Sequence, residues 1–183
     1  QKKMSAENIL ATLSLRVEKH PDKTAFAFRK FDQGGLSYDE ISYRDLDEKS
    51  SRVANYLSRK GFGNGLVTLV MIRPNIDFII LLYGMIKSET IPLLLPNMNL
   101  KNRDDRRELR AILNRAKPEG VIGYRKSLIV SWILRFSKTA NISINMKHLK
   151  SYYSNTKNNP DFDFGQEKNW EEIPAFVKYT TGT

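Results

Sequence analysis

Leu66-Val67-Thr68-Leu69-Val70-Met71-Ile72 decides the fold. The segment has no polar alternation, so both of its faces must be covered, as in a parallel strand held between helices. Pro74-Asn75 ends it, and Asn75 is placed to cap a helix running through Ile86. Thr90-Ile91-Pro92-Leu93-Leu94-Leu95 repeats the buried pattern, and residues 104–117 form a second helix stopped by Pro118. Gly120-Val121-Ile122-Gly123 is a short third strand. Ser127 then caps a helix over residues 128–136, and Ile142-Ser143-Ile144 offers a fourth strand. Strand and helix in strict succession predict an α/β fold: right-handed crossovers and a mainly parallel sheet with helices on both faces.

Upstream, Ile9, Leu10, Leu13 and Val17 form one stripe of an amphipathic helix that stops before Pro21. Thr24-Ala25-Phe26-Ala27-Phe28, the glycines Gly34-Gly35, and Leu36-Ser37-Tyr38 predict an N-terminal β-hairpin. Ser42 suits the N-cap of the next helix, whose buried side carries Leu46, Val53, Ala54 and Leu57, and Gly61 suits its C-terminal turn. Downstream, residues 151–172 are rich in Asn, Asp, Lys and Ser and read as a connection over the surface. Residues 173–179 return as a strand that enters Tyr179-Thr180-Thr181-Gly182-Thr183. The expected organisation is an α/β unit over residues 1–150, the connection 151–172, and a strand with the start of a loop over 173–183.

Composition narrows the chemistry. In 183 residues, 40% apolar and 27% charged fit a globular chain and exclude collagenous or low-complexity ones. With no cysteine there is no disulfide framework, thiolate zinc site or cysteine nucleophile, which suits a reducing, cytoplasmic location. His20 and His148 are the only histidines, so a histidine metal centre or a Ser-His-Asp triad is poorly supplied. Gln1-Lys2-Lys3-Met4-Ser5 has no apolar run behind its lysines and does not read as a signal peptide. Lys87, Ser88, Glu89 and Pro92 interrupt the most apolar stretch, residues 76–95, too often for a membrane span.

Charge is unevenly distributed. Residues 101–150 hold 13 basic and 4 acidic side chains, whereas the rest of the chain is nearly balanced at 17 and 16. Arg103, Arg106, Arg107, Arg110 and Arg115 fall at helical spacing, diluted by Asp104, Asp105 and Glu108. Two readings stand: a solvated face laced with local ion pairs, or a docking patch for phospholipid, coenzyme A or an acidic carrier protein. Nucleic acid is disfavoured, because no aromatics are interleaved as a stacking platform. The helix over residues 128–136, with Trp132, Phe136 and the flanking Arg125, Lys126 and Lys138, also has two readings: packing on the sheet, or a peripheral membrane contact.

Thr180, Thr181, Gly182 and Thr183 are the candidate phosphate-binding residues. Closely spaced hydroxyls and a glycine after a strand can wrap O–H and N–H donors around a phosphate, and glycine permits close approach of the main chain. A frayed polar tail fits the same pentapeptide. The Walker-type loop and the dinucleotide fingerprint are absent, since Gly61-Phe62-Gly63-Asn64-Gly65 has neither the Lys-Ser/Thr of the first nor the spacing of the second.

Taken with its context, the pentapeptide resembles the opening of the phosphate loop Tyr-Thr-Ser-Gly-Thr-Thr-Gly-x-Pro-Lys-Gly of the AMP-forming acyl ligases, the adenylate-forming superfamily, with Thr181 in place of the usual Ser. Ile41-Ser42-Tyr43-Arg44-Asp45-Leu46 is similar to that family's T-Y-x-E-L helix entry, and Ser51-Arg52-Val53-Ala54-Asn55-Tyr56-Leu57 follows in register. Lys60-Gly61-Phe62-Gly63-Asn64-Gly65-Leu66-Val67-Thr68-Leu69 resembles G-V-x-x-G-D-x-V-A-L, with Leu66 for the usual Asp. Residues 84–95 resemble x-x-x-K-A-G-A-x-x-x-P-L, with Ser88-Glu89 for Ala-Gly. Ile72-Arg73-Pro74 and Leu94-Leu95-Pro96-Asn97-Met98 resemble the fatty-acyl-ligase and β-lactone-synthetase-like branch.

The resemblance implies the N-terminal portion of a longer enzyme, cut within its phosphate loop. It implies ATP and Mg2+ as cofactors, with a fatty or related carboxylic acid activated as acyl-adenylate and passed to coenzyme A or a carrier protein. Thr180, Thr181, Gly182 and Thr183 would bind phosphate; the catalytic and metal-binding residues would lie beyond Thr183. By itself this portion is expected to be inactive. Asp45, Asp77 and Glu89 receive no catalytic role. The alternative is a non-catalytic basic module that docks an acidic carrier protein or an anionic membrane.

Overall fold

The computed structural model describes residues 6–32, 35–96, 102–125, 142–157 and 177–178. Helix α1 (Ala6–Lys19) leads into a hairpin of β1 (Thr24–Asp32) and β2 (Gly35–Ser42), then α2 (Tyr43–Arg59). The layered part follows: β3 (Val67–Met71), α3 (Ile76–Lys87), β4 (Ile91–Leu94), α4 (Arg103–Ala116), β5 (Gly120–Gly123), β6 (Ile142–Asn145), α5 (Met146–Tyr153) and β7 (Val177–Lys178). The sheet order is β6-β5-β3-β4-β7, and every pairing in it is parallel. The hairpin is antiparallel and longer than the sequence pattern suggested, with Phe28 opposite Asp39 and Arg29 opposite Tyr38.

Period-two alternation divides the strands between two apolar layers. Val70, Ile122 and Ile144 pack with Leu46, Val53 and Leu57 of α2, Ile80, Leu81 and Met85 of α3, and Leu149 and Tyr153 of α5. Their neighbours Leu69, Leu93 and Val121 pack with Leu109 and Leu113 of α4 on the opposite face. Adjacent residues thus serve opposite faces, which is why the strands read as unbroken apolar runs.

Local signals set the helix ends. Ser42 Oγ accepts from Asp45 N at 3.1 Å, and Asn75 Oδ1 accepts from Phe78 N at 2.8 Å. At the end of α2, Gly61 has φ +83° while Gly61 N and Phe62 N donate to Ser58 O and Leu57 O. The same turn ends α3, where Glu89 N and Thr90 N donate to Ile86 O and Met85 O. There the left-handed position is held by Glu89 at φ +57°, the residue standing where the family pattern has glycine.

A buried cation ties α2 to α3. Lys87 Nζ, on a side chain only 2% exposed, donates to Asp47 Oδ1 at 2.6 Å, Ser51 Oγ at 2.8 Å and Asp47 O at 2.9 Å. Three donors meet three acceptors, so the ammonium is satisfied. Burial pulls its pKa below the usual lysine value, and Asp47 opposes that pull.

Residues 151–153, expected to open a surface connection, are helical instead. Ser151, Tyr152 and Tyr153 complete α5, an element absent from the sequence reading, and Tyr153 is buried. The remainder of that connection from residue 158, the helix proposed at 128–136 with its cap Ser127, and most of the strand over 173–179 lie outside the described residues.

Candidate functional site

In open parallel sheets, ligands bind beyond the carboxyl ends of the strands, where the connecting loops converge. β7 is the strand that feeds the candidate loop, and it lies at one edge of the sheet beside β4, with Val177 opposite Leu93 and Lys178 opposite Leu94. Parallel pairing puts Lys178, the last described residue of β7, at the same carboxyl edge as the ends of β3, β4 and β5. Thr180, Thr181, Gly182 and Thr183, together with Tyr179, lie outside the described residues.

The described part of that edge holds a polar knot. Asp77, in the first turn of α3, accepts from Tyr153 Oη at 2.7 Å and from Lys150 Nζ at 2.7 and 3.0 Å. Its carboxylate also benefits from the positive end of α3. Burial pushes the Tyr153 hydroxyl far above the ordinary tyrosine value, and its hydrogen bond to Asp77 adds to the shift. The phenol therefore stays protonated and donates throughout the physiological range. A carboxylate engaged by a phenol and an ammonium is a poor general base, so the knot fastens α5 to α3. Beside it, Tyr38, Asp39, Glu40, Asn75 and Ile76 complete a cavity of about 460 Å³.

Sequence reasoning missed this knot because its members are 73 and 76 residues apart. One signal was available. Asn145 precedes Met146, Leu149 and Tyr153, an N-cap followed by one helical stripe; Asn145 Oδ1 accepts from Lys147 N at 2.9 Å. Asp45 and Glu89 are far from this arrangement in role. Asp45 pairs with Lys49 at 3.1 Å, and Glu89 occupies the turn after α3.

A larger hollow, of about 710 Å³, lies on α4 among Arg103, Asp104, Arg106, Arg107 and Arg110. Among the described residues no group of three or more His, Cys, Asp or Glu gathers to hold a metal ion. The described residues do not furnish a Mg2+ site. None of the described helices is long and apolar enough to cross a membrane.

Comparison with known proteins agrees with this architecture. The chain is 33% identical over 138 residues to an olefin beta-lactone synthetase of Stenotrophomonas maltophilia and 30% identical over 137 residues to that of Xanthomonas campestris. Each match covers 73% of this chain and 24% of the relative, so the chain spans about a quarter of the length of these curated relatives. Among solved structures, apo MatB from Rhodopseudomonas palustris superposes with a TM-score of 0.68 at 20% identity, covering 98% of this chain and 33% of that one. The fatty acyl-adenylate ligase from L. pneumophila, in complex with acyl adenylate and pyrophosphate, superposes at 0.69 and 18% identity, covering 100% of this chain and 29% of that one. At such identities these two structures establish the fold alone. The AMP-binding enzyme model matches residues 13–183, nearly the whole sequence, and the chain therefore belongs to the AMP-binding enzyme family.

Proposed function

We propose that this chain is the N-terminal part of an AMP-forming acyl ligase that activates a fatty or related carboxylic acid. The observation that supports this reading is the placement of β7 beside β4, with Lys178 opposite Leu94 at the carboxyl end of that strand, immediately before Tyr179-Thr180-Thr181-Gly182-Thr183 in the sequence. There Thr180, Thr181, Gly182 and Thr183 contribute the first donors to the β- and γ-phosphates of ATP. The substrate carboxylate attacks the α-phosphorus and pyrophosphate leaves in line, giving acyl-adenylate. The contribution of the loop is electrostatic: fixed donors face the charge that grows on the departing pyrophosphate. Magnesium, when bound, neutralises phosphate charge, and its ligands belong to the remainder of the enzyme. Residues 1–183 hold only the entering side of the loop and do not form adenylate by themselves. Family membership favours this reading over a purely docking module.

Two acceptors are in view. A thiol, of coenzyme A or a carrier protein, would take the acyl group as a thioester. The names of the two relatives favour a second outcome, in which the acyl-adenylate of a β-hydroxy acid is attacked by its own hydroxyl. That closes a four-membered lactone and releases AMP and a proton.

The test is ATP–pyrophosphate exchange over a panel of fatty acids, using the enzyme that contains this chain. Exchange should require a fatty acid and should fall about tenfold or more in Thr181→Val, as expected for loss of one charge-stabilising donor. Exchange that ignores the acid, or is unaffected by Thr181→Val, would refute the assignment. Mass analysis of products made with and without a thiol separates thioester from lactone.

A further inference from the structure

Two helices of this chain carry charge in opposite ways. On α2, Lys49 lies 3.1 Å from Asp45 and Arg52 lies 3.1 Å from Glu48, each base set against an acid one turn away. On α4, Arg103 lies three and four residues before Arg106 and Arg107, and Arg110 lies four and three residues after them, so each has guanidinium neighbours on its own face. Asp104, Asp105 and Glu108 share the helix, yet among the described residues Arg103, Arg107 and Arg110 form no ion pair. Like charges at these spacings weaken a helix, and an anion bound among them would reverse the sign of that interaction. The ion-pair-laced solvated face, one of the two readings of the sequence, is not what these three arginines form.

The arginines surround a concavity. The hollow of about 710 Å³ is within the range that takes a small molecule, and among the described residues its lining holds four arginines and Asp104 with no aromatic or aliphatic side chain. Planar guanidinium forks match phosphate oxygens in pairs, and the first turn of α4 adds the positive end of the helix. Among the described residues, the lining offers no aromatic platform for a base and no apolar anchor to enter a bilayer. The hollow belongs to α4, whereas the candidate loop follows β7, so this inference does not rest on the ligase assignment.

We propose that Arg103, Arg106, Arg107 and Arg110 of α4 form a binding site for the phosphate chain of a polyphosphorylated small molecule. The site recognises charge and oxygen geometry and is indifferent to the base or other group that the phosphates carry.

Calorimetric titration of the 183-residue chain with inorganic tripolyphosphate, ATP and GTP tests this. All three should bind with affinities within about threefold of one another, more weakly as ionic strength rises. R103Q/R107Q/R110Q should weaken binding by about tenfold or more, while R16Q/R59Q/K147Q, which removes the same net charge elsewhere, should weaken it less than about threefold. These positions are exposed, and circular dichroism verifies that both variants fold. Equal weakening by the two triple variants would reduce the effect to diffuse net charge and overturn the site. No tripolyphosphate binding would also overturn it, as would binding that is lost in Thr181→Val but retained in R103Q/R107Q/R110Q. Attachment to phosphatidylserine vesicles that needs the α4 arginines, without tripolyphosphate binding, would assign the face to a membrane and refute the proposal.

Discussion

Gly84→Ala probes the crossing of α2 and α3 on which the larger core depends. Gly84 is buried, and a Cβ built there would lie 2.5 Å from Val53 Cβ, 3.0 Å from Ser50 O, and closer still to Val53 Cγ1. Carbon atoms pack favourably at about 3.5–4.0 Å, so the new methyl requires at least roughly 1 Å of displacement. Little can yield locally. Valine in a helix has essentially one rotamer, its Cβ is fixed to the backbone, and Ser50 O is itself backbone. The helices must separate, loosening Val53, Leu57, Leu81 and Met85, all fully buried at 0% exposure. Overpacking costs about 1–3 kcal/mol, and a clash with anchored atoms belongs at or above the top of that range. Replacing a mid-helix glycine by alanine offsets about 1 kcal/mol. A net loss of about 2 kcal/mol should therefore appear in urea unfolding followed by circular dichroism, or as a Tm lower by about 4–8 °C. Val53→Ala/Gly84→Ala should be less destabilised than the sum of the single changes by about 1 kcal/mol, because the nearest methyl has gone. Gly84→Ala as stable as the parent, or strict additivity in the double variant, would refute the close crossing.

Three further outcomes follow from single sites. Glu89 holds a left-handed turn at φ +57°, so Glu89→Gly should exceed Glu89→Ala in stability by about 1 kcal/mol; equality would show that the turn relaxes. Thr68 Oγ1 is buried without a hydrogen-bond partner among the described residues, so Thr68→Val should stabilise the chain by about 1 kcal/mol in denaturant titration, and a loss would reveal a partner for the hydroxyl. Tyr153→Phe removes the 2.7 Å hydrogen bond to Asp77 and should cost about 1.5–3 kcal/mol at neutral pH. Because the folded-state Tyr153 value is raised, the unfolded chain loses its phenolic proton first; this contribution is complete below about pH 10 and declines above it. The gap between parent and Tyr153→Phe should therefore narrow above pH 10, and a constant gap would contradict the assignment.

Much of this protein is written locally. The unbroken apolar runs around Leu69, Leu93 and Val121 specify buried strands because adjacent residues must satisfy opposite faces. Ser42, Asn75 and Gly61 mark helix ends because their work is done within a few residues of chain. Even Glu89 was visible as a departure from the family pattern, although its left-handed backbone was not. The order of conserved-looking fragments in one chain, closing on Tyr179-Thr180-Thr181-Gly182-Thr183, was enough to suggest the ligase family that the family model then matched. Tertiary structure decided the rest. It set β7 beside β4, joined Lys87 to Asp47 across 40 residues and Tyr153 to Asp77 across 76, and pressed Val53 against Gly84. It also gathered Arg103, Arg106, Arg107 and Arg110 of α4 around one hollow. Periodicity reports which side of an element is buried, but not which partner buries it; that choice is made by packing volume and by the pairing of buried polar groups, and both arise only when distant segments meet.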